Sequence, residues 1–374
     1  MAKRSVFEEV GERRAAPAPR PARAPARGAI AAWLWLLAAL VAVMVLVGGA
    51  TRLTDSGLSI TEWAPVMGVV PPLSDADWEA AFAAYQQTTE FQKQNSWMTL
   101  EDFRPIFWWE WVHRFLGRAI GVVWLTGFAG FLIARAVPPG WTGRLVLPAG
   151  LGALQGAVGW WMVVSGLSGR LDVAPYRLMA HLGLAFAIFV LLVWLALRVR
   201  PDEVATLAAR RRRIGRVMTW TTWLGALAFV QILSGALVAG LDAGRGYVDW
   251  PRMEGNWIPP ESFDLSPVWV NAFQNPALAQ FDHRIIGYLL LAVTAVFVWQ
   301  GMRTRHRAVR RWVAITGAAI LAQAVIGVTA LMHASPLGLA LLHQAGALAV
   351  TFLIVRTRFA AGYPPEQRIE RLAA

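Results

Sequence analysis

Eight stretches of this chain run for about twenty residues each with almost no charge, the length a helix needs to cross the hydrocarbon of a bilayer. They lie near 29–50, 116–136, 144–164, 178–197, 217–240, 284–301, 312–332 and 337–355. In lipid every backbone N–H and C=O must find its partner inside the segment, so each stretch is read as a helix. The expectation is an all-α integral membrane protein with eight transmembrane helices. Composition agrees: 56% of residues are hydrophobic and 16% charged, too apolar for a soluble domain. The first run is longer than a signal-peptide core and is read as a retained helix. Residues 1–28, rich in Ala, Pro and Arg, read as a disordered cytoplasmic tail, and 359–374 as a second cytoplasmic tail.

The net charge of +12 does not point to nucleic acid, because the Arg residues fall in short blocks between apolar runs rather than on one face. Segment 198–216 holds seven Arg, and 302–311 holds Arg303, Arg305, Arg307, Arg310 and Arg311, whereas 51–105 carries eight acidic residues against three basic ones. With both termini cytoplasmic, every Arg-rich loop falls on the cytoplasmic side and the long acidic loops fall outside. The partner implied is membrane lipid. Within the loop 51–105, Ser74 before Asp77 and Thr99 before Glu101 and Asp102 are helix-start signals. Between them, 75–87 reads as a short amphipathic helix with Trp78, Phe82 and Tyr85 on one face. It is expected to lie on the outer surface or to cap a pocket. There is no Cys, which excludes disulfides, thiolate-held metals and iron–sulfur clusters.

The chemistry concentrates in 107–117, FWWEWVHRFLG, where Glu110 and His113 share a helix face. Ionisable groups at membrane depth face the bundle interior and mark a site. The stretch 281–290, FDHRIIGYLL, repeats its His-Arg-x-x-Gly core. Four His fall near the outer ends of even-numbered helices: His113, His181, His283 and His343. Their offsets, 170 (283 − 113) and 162 (343 − 181), are those of two four-helix halves, 29–200 and 201–358. An even number of spans per half makes the repeat parallel, so the halves form two pseudo-two-fold-related four-helix bundles. A lone buried His is more often a satisfied polar residue than a ligand. Four at one depth, paired as His113 with His181 and His283 with His343, suit axial ligation of one heme iron per half. His306 is taken as solvated and His333 as structural.

At the position matching Glu110 the second half has Gln280, which argues against a di-iron site of the paired Glu-x-x-His type. It also separates the tasks of the halves. The first half, with its carboxylate, would hold a reacting heme, and the second a permanent electron-transfer heme. Arg114, Arg118 and Arg284 are candidates for heme propionates or, equally, for lipid headgroups. The residues alone leave open a heme-modifying enzyme, a diheme electron-transfer protein of the cytochrome b type, and a transporter.

The segments GGATRLTDSGLSITEWAPVMGVVPPL at 48–73, FWWEWVHRFLGR at 107–118 and FDHRIIGY at 281–288 resemble the heme A synthase family, most closely its mitochondrial and alphaproteobacterial branch. The resemblance runs over about residues 30–358. It implies oxidation of the C8 methyl of heme O to a formyl group through a hydroxymethyl intermediate, giving heme A for terminal oxidases. It also implies eight helices, His pairs on heme, heme O as substrate with a resident heme b, and a catalytic role for the glutamate at 110. The setting implied is the inner membrane of a bacterium. Candidate partners are a heme O synthase, oxidase assembly factors and a second copy of the chain. Some bacterial relatives carry Cys pairs in outer loops; none can be carried over here.

Overall fold

The computed structural model describes residues 26–63 and 67–367. The expected tail at 1–28 falls outside the described residues up to residue 25, and the helix begins at Arg27. In chain order the helices are α1 (Arg27–Leu53), α2 (Asp75–Gln86), α3 (Leu100–Ile133), α4 (Thr142–Leu167), α5 (Pro175–Val199) and α6 (Glu203–Arg211). They continue with α7 (Gly215–Gly240), α8 (Asn271–Gln274), α9 (Pro276–Met302), α10 (Arg307–Met332) and α11 (Leu337–Gly362). All except α2, α6 and α8 are long and apolar enough to cross a membrane, eight among the described residues, so the chain is a multi-pass membrane protein.

Three helices reach furthest beyond their apolar runs. α3 begins at Leu100, well before the expected 116, and its 34 residues span about 51 Å at 1.5 Å per residue, more than the hydrocarbon layer. Thr99 and Asp102 form a capping box, so the helix starts in water. Its first turns are covered by α2, which starts on its own box of Ser74 and Asp77. Trp78, Tyr85, Phe103, Ile106 and Phe107 form a separate apolar core there. Tyr85 stacks on Phe103 with centroids 5.3 Å apart, and its hydroxyl accepts a hydrogen bond from Asn95 at 2.8 Å. The loop 51–105 is thus an outer layer built onto α3. α9 starts at Pro276 rather than 284, with Pro at its first position and the Asn275 side chain accepting from the Leu278 N–H at 3.0 Å. α11 runs on to Gly362, past the boundary expected at 358. There the Arg356 guanidinium lies 4.4 Å over the Trp312 ring, its stem staying with apolar neighbours.

Inside, α1, α5, α7 and α11 form the middle of the bundle. α1 packs along α5, α5 along α7, α7 along α11, and α11 back against α1. The largest apolar cluster joins α1 to α5 through Leu34, Leu37, Phe186, Leu192 and Val193, with Leu348 and Val355 of α11 at its edge. On the outside, α3 lies on α1 and α4 on α5, as α9 lies on α7 and α10 on α11. One pairing differs in degree. α9 and α10 pack against one another, while α3 and α4 barely touch and leave most of their apolar surface facing outward.

At the end carrying the long loops, Arg52 of α1 closes the bundle. Its guanidinium meets Asp55 at 2.8 Å, Asp172 of the α4–α5 loop at 3.3 Å and Asp242 just after α7 at 2.7 Å.

Candidate functional site

Glu110 sits three turns into α3, beneath the segment that leaves α1, and is 3% exposed. One carboxylate oxygen, Oε2, accepts from the Ser59 hydroxyl and the Ile60 N–H, both at 2.7 Å. The other, Oε1, accepts from Arg114 Nε at 3.1 Å and Nη2 at 2.6 Å. A carboxylate has about four acceptor positions, so this one is fully occupied and fixed in orientation. The same Arg114 donates to the carbonyls of Ile60 and Glu62, both at 2.8 Å, and so sews the outer loop to α3.

The second half repeats this arrangement without the charge. Gln280 is 3% exposed and donates to the Tyr247 carbonyl at 3.0 Å. Arg284 donates to the carbonyls of Arg252 at 2.9 Å and Tyr247 at 3.1 Å, and to Gln280 Oε1 at 3.5 Å. Arg114 and Arg284 therefore act first as anchors of the two outer loops. Arg118 lines, with Arg114, Phe107 and Trp111, an open pocket under the first of these loops.

All four expected His residues are half-buried near the loop-bearing end. Each stands against a glycine of the span before it, where a Cβ would fall 2.6–3.0 Å from the imidazole Cε1. The pairs are His113 on Gly48, His181 on Gly159, His283 on Gly235 and His343 on Gly327. Only glycine leaves room for the ring at that distance. His283 and His343 face one another with ring centroids 6.4 Å apart and planes at 81°. Two metal–imidazole bonds of about 2 Å each, plus the ring radii, give roughly 6 Å between centroids, so the pair fits the two sides of one heme iron. His113 lies within electrostatic reach of His181, the other histidine of the same half.

Three glutamines missed at the level of sequence complete the site. Gln155, Gln231 and Gln323 each stand four residues before the glycine, in the repeated pattern Gln-x-x-x-Gly. Each donates to the backbone carbonyl of its His: His181 at 3.0 Å, His283 at 3.0 Å and His343 at 2.7 Å. Each amide also lies against the ring, its nitrogen 3.2, 3.1 and 3.1 Å from Nδ1 respectively, and in all three the amide oxygen is buried without a partner. Near His181 and His283 the amide nitrogen is almost as close to Nε2, at 3.3 and 3.2 Å. Ser234 adds a hydroxyl at 2.9 Å from His283 Nδ1. His113 is the exception: Met44 takes the glutamine's place and the His113 Nδ1 is buried without a partner.

Glu90 was also missed. It is 3% exposed in the outer layer beside Tyr85. Burial, helped by the nearby carboxylates of Asp172, Asp55 and Glu110, pushes it up to about 8 against an opposing hydrogen bond from Tyr85. His306, expected to be solvated, caps α10 by accepting from the Val309 N–H at 3.4 Å. His333 is exposed at the end of α10 with Nδ1 2.8 Å from the Thr329 carbonyl. Among the described residues, no three His, Asp or Glu side chains converge to hold a metal ion by themselves.

The model of the cytochrome oxidase assembly protein family matches residues 31–355 of the chain. The chain is 54% identical over 371 residues to the heme A synthase of Ruegeria pomeroyi, covering 97% of both. It is 51% identical over 373 residues to that of Dinoroseobacter shibae, again covering 97% of both. Against the heme A synthase of Paracoccus denitrificans it is 50% identical over 377 residues, covering 99% of each.

Proposed function

The chain belongs to the cytochrome oxidase assembly protein family, and on that premise we propose that it is a heme A synthase, oxidising the C8 methyl of heme O to a formyl group. Counted against water as the source of the added oxygen, two two-electron steps through a hydroxymethyl intermediate release four protons and four electrons, the electrons passing to an external one-electron acceptor. The observation that carries this reading is the charge asymmetry between otherwise matching sites: Glu110 in the first half, Gln280 in the second.

His113 and His181 are assigned to the iron of the substrate heme, and His283 and His343 to a resident heme b. The facing pair at 6.4 Å and the glycine cradles, which a Cβ would fill, fit such ligands. A resident heme supplies one-electron transfer when bound. Glu110, held rigid by Ser59, Ile60 and Arg114, places a fixed negative charge beside the first-half ligand and stabilises positive charge developing at the oxidised carbon. It can also take a proton, because the Ser59 hydroxyl has two other acceptors in reach, the carbonyls of Ser56 at 3.1 Å and Ile106 at 3.3 Å. Turning to either frees one Glu110 lone pair. Arg118 remains a candidate for a propionate, and Arg114 and Arg284 would meet one only while holding their loops. The two halves are assigned as parallel four-helix units related by a pseudo-two-fold axis, 29–200 and 201–358. The site-bearing end faces outward and both termini face the cytoplasm of a bacterial inner membrane, with Arg-rich loops inside.

The test is heme extraction from cells that make heme O and carry the Glu110→Gln variant. The purified variant should retain bound heme and yield no formyl heme. Normal heme A yield from it would overturn the assignment.

A further inference from the structure

We propose that Met44 makes His113 the releasable ligand, so that the first half can exchange its heme while the second retains one. This rests on the reading of the four His as heme ligands. Four helix pairs present the same cradle, and in three of them a glutamine reaches from the preceding helix to the backbone and ring of the His. Met44 occupies the equivalent place. A Cβ on Gly117, one turn beyond His113, would lie 3.3 Å from the Met44 Cε. A Cβ on Gly287, one turn beyond His283, would lie 3.4 Å from the Gln231 Nε2. The two side chains therefore fill the same slot, one with a thioether and the other with an amide.

The difference acts on the imidazole. A carboxamide either ties the His backbone carbonyl through its nitrogen or, turned over, accepts the Nδ1–H through its oxygen; both fix the ring, and the second strengthens its donation to iron. A thioether is at best a weak acceptor, so His113 keeps a buried, unpartnered Nδ1 and is held on that side by packing alone. The helix that carries it is also the least packed of the four that bear these His residues. α3 barely touches α4, whereas α9, which carries His283, is packed against α10. An enzyme acting on a heme must take up its substrate and let its product go, and one ligand that leaves easily provides for both. Met44 is on this account a positioning residue: it works through His113.

The test is transfer of heme from the purified full chain, loaded with iron protoporphyrin IX, to an excess of heme-free globin. The unmodified protein should lose heme in two phases, the faster absent from His113→Ala and the slower absent from His283→Ala. Met44→Gln should slow the fast phase roughly tenfold or more and leave the slow phase unchanged. It should also lower the reduction potential of the first-half heme alone, a shift that a general gain in stability would not produce. Gln231→Met should make the reverse changes in the second half. Met44→Gln and Gln231→Met proteins that both load heme and leave both rates unchanged would overturn the proposal, as would a fast phase that belongs to His283. If the unmodified chain retains no heme, or if both phases survive in both His variants, the assignment of the ligands fails and this inference with it.

Discussion

Glu110 has two donors on each oxygen, whereas Glu90 is buried with one oxygen, Oε2, lacking a hydrogen-bond partner. That contrast gives a pH dependence. Glu90 is raised to about 8 from an ordinary 4.5, so between those values the folded protein holds a proton that the unfolded chain has released. The stability of the outer layer is then greatest below pH 4.5 as far as this residue is concerned, and it declines as pH rises through 8. Glu90→Gln should remove the decline. Hydrogen exchange of the α2 and α3 starts, measured at pH 6 and pH 9, should differ less in the variant than in the parent. An equal loss of protection in both would dismiss the role given to Glu90. Nothing in the local sequence marks this residue. Its burial depends on α2 folding over the first turns of α3, a contact between segments that the linear pattern does not specify.

At the level of elements, the helices meet where glycine permits it. A Cβ at Gly127 would fall 2.2 Å from Trp33 Nε1, which donates to the Val123 carbonyl at 3.0 Å and joins α1 to α3. A Cβ at Gly327 would fall 2.6 Å from His343 Cε1. Gly327→Ala should therefore displace the imidazole, and the heme proposed for His283 and His343 should be depleted in the absorption spectrum of the purified protein. The same substitution at Gly130, where nothing lies within 4 Å, should leave heme content unchanged and raise stability by up to about 1 kcal/mol, the helix-propensity gain. Undiminished heme in Gly327→Ala would mean that the cradle does not set the ring. The Gln-x-x-x-Gly pattern before the His helices was legible in the sequence in three copies. It could be valued only once the neighbouring helix was seen to bring the His to that glycine.

For the whole molecule, Arg52 joins three segments far apart in the chain: α1, the α4–α5 loop and the turn after α7. Its side chain is 10% exposed and its three Asp partners about 40%, so the network is partly screened. Arg52→Gln leaves three carboxylates facing one another and should lower the unfolding temperature of the detergent-solubilised protein. Asp172 is already raised by burial and by Asp242 and Asp55, so acid should neutralise it readily. The deficit should accordingly shrink at lower pH and at higher salt. A deficit independent of both would assign Arg52 a packing role instead.

The eight spans, the caps at Ser74 and Thr99, the four His and the contrast of Glu110 with Gln280 were determined by the sequence alone. Apolar length, capping chemistry and residue type are local properties, and a bilayer enforces them strictly. The tertiary structure decided which glycine and which amide hold each imidazole, how Ser59 and Ile60 reach Glu110, and why α3 and α4 stand apart while α9 and α10 do not. Those are contacts between helices far apart in the chain, fixed by how side chains of different size fill shared space, and no periodicity along one helix records what its neighbour presents.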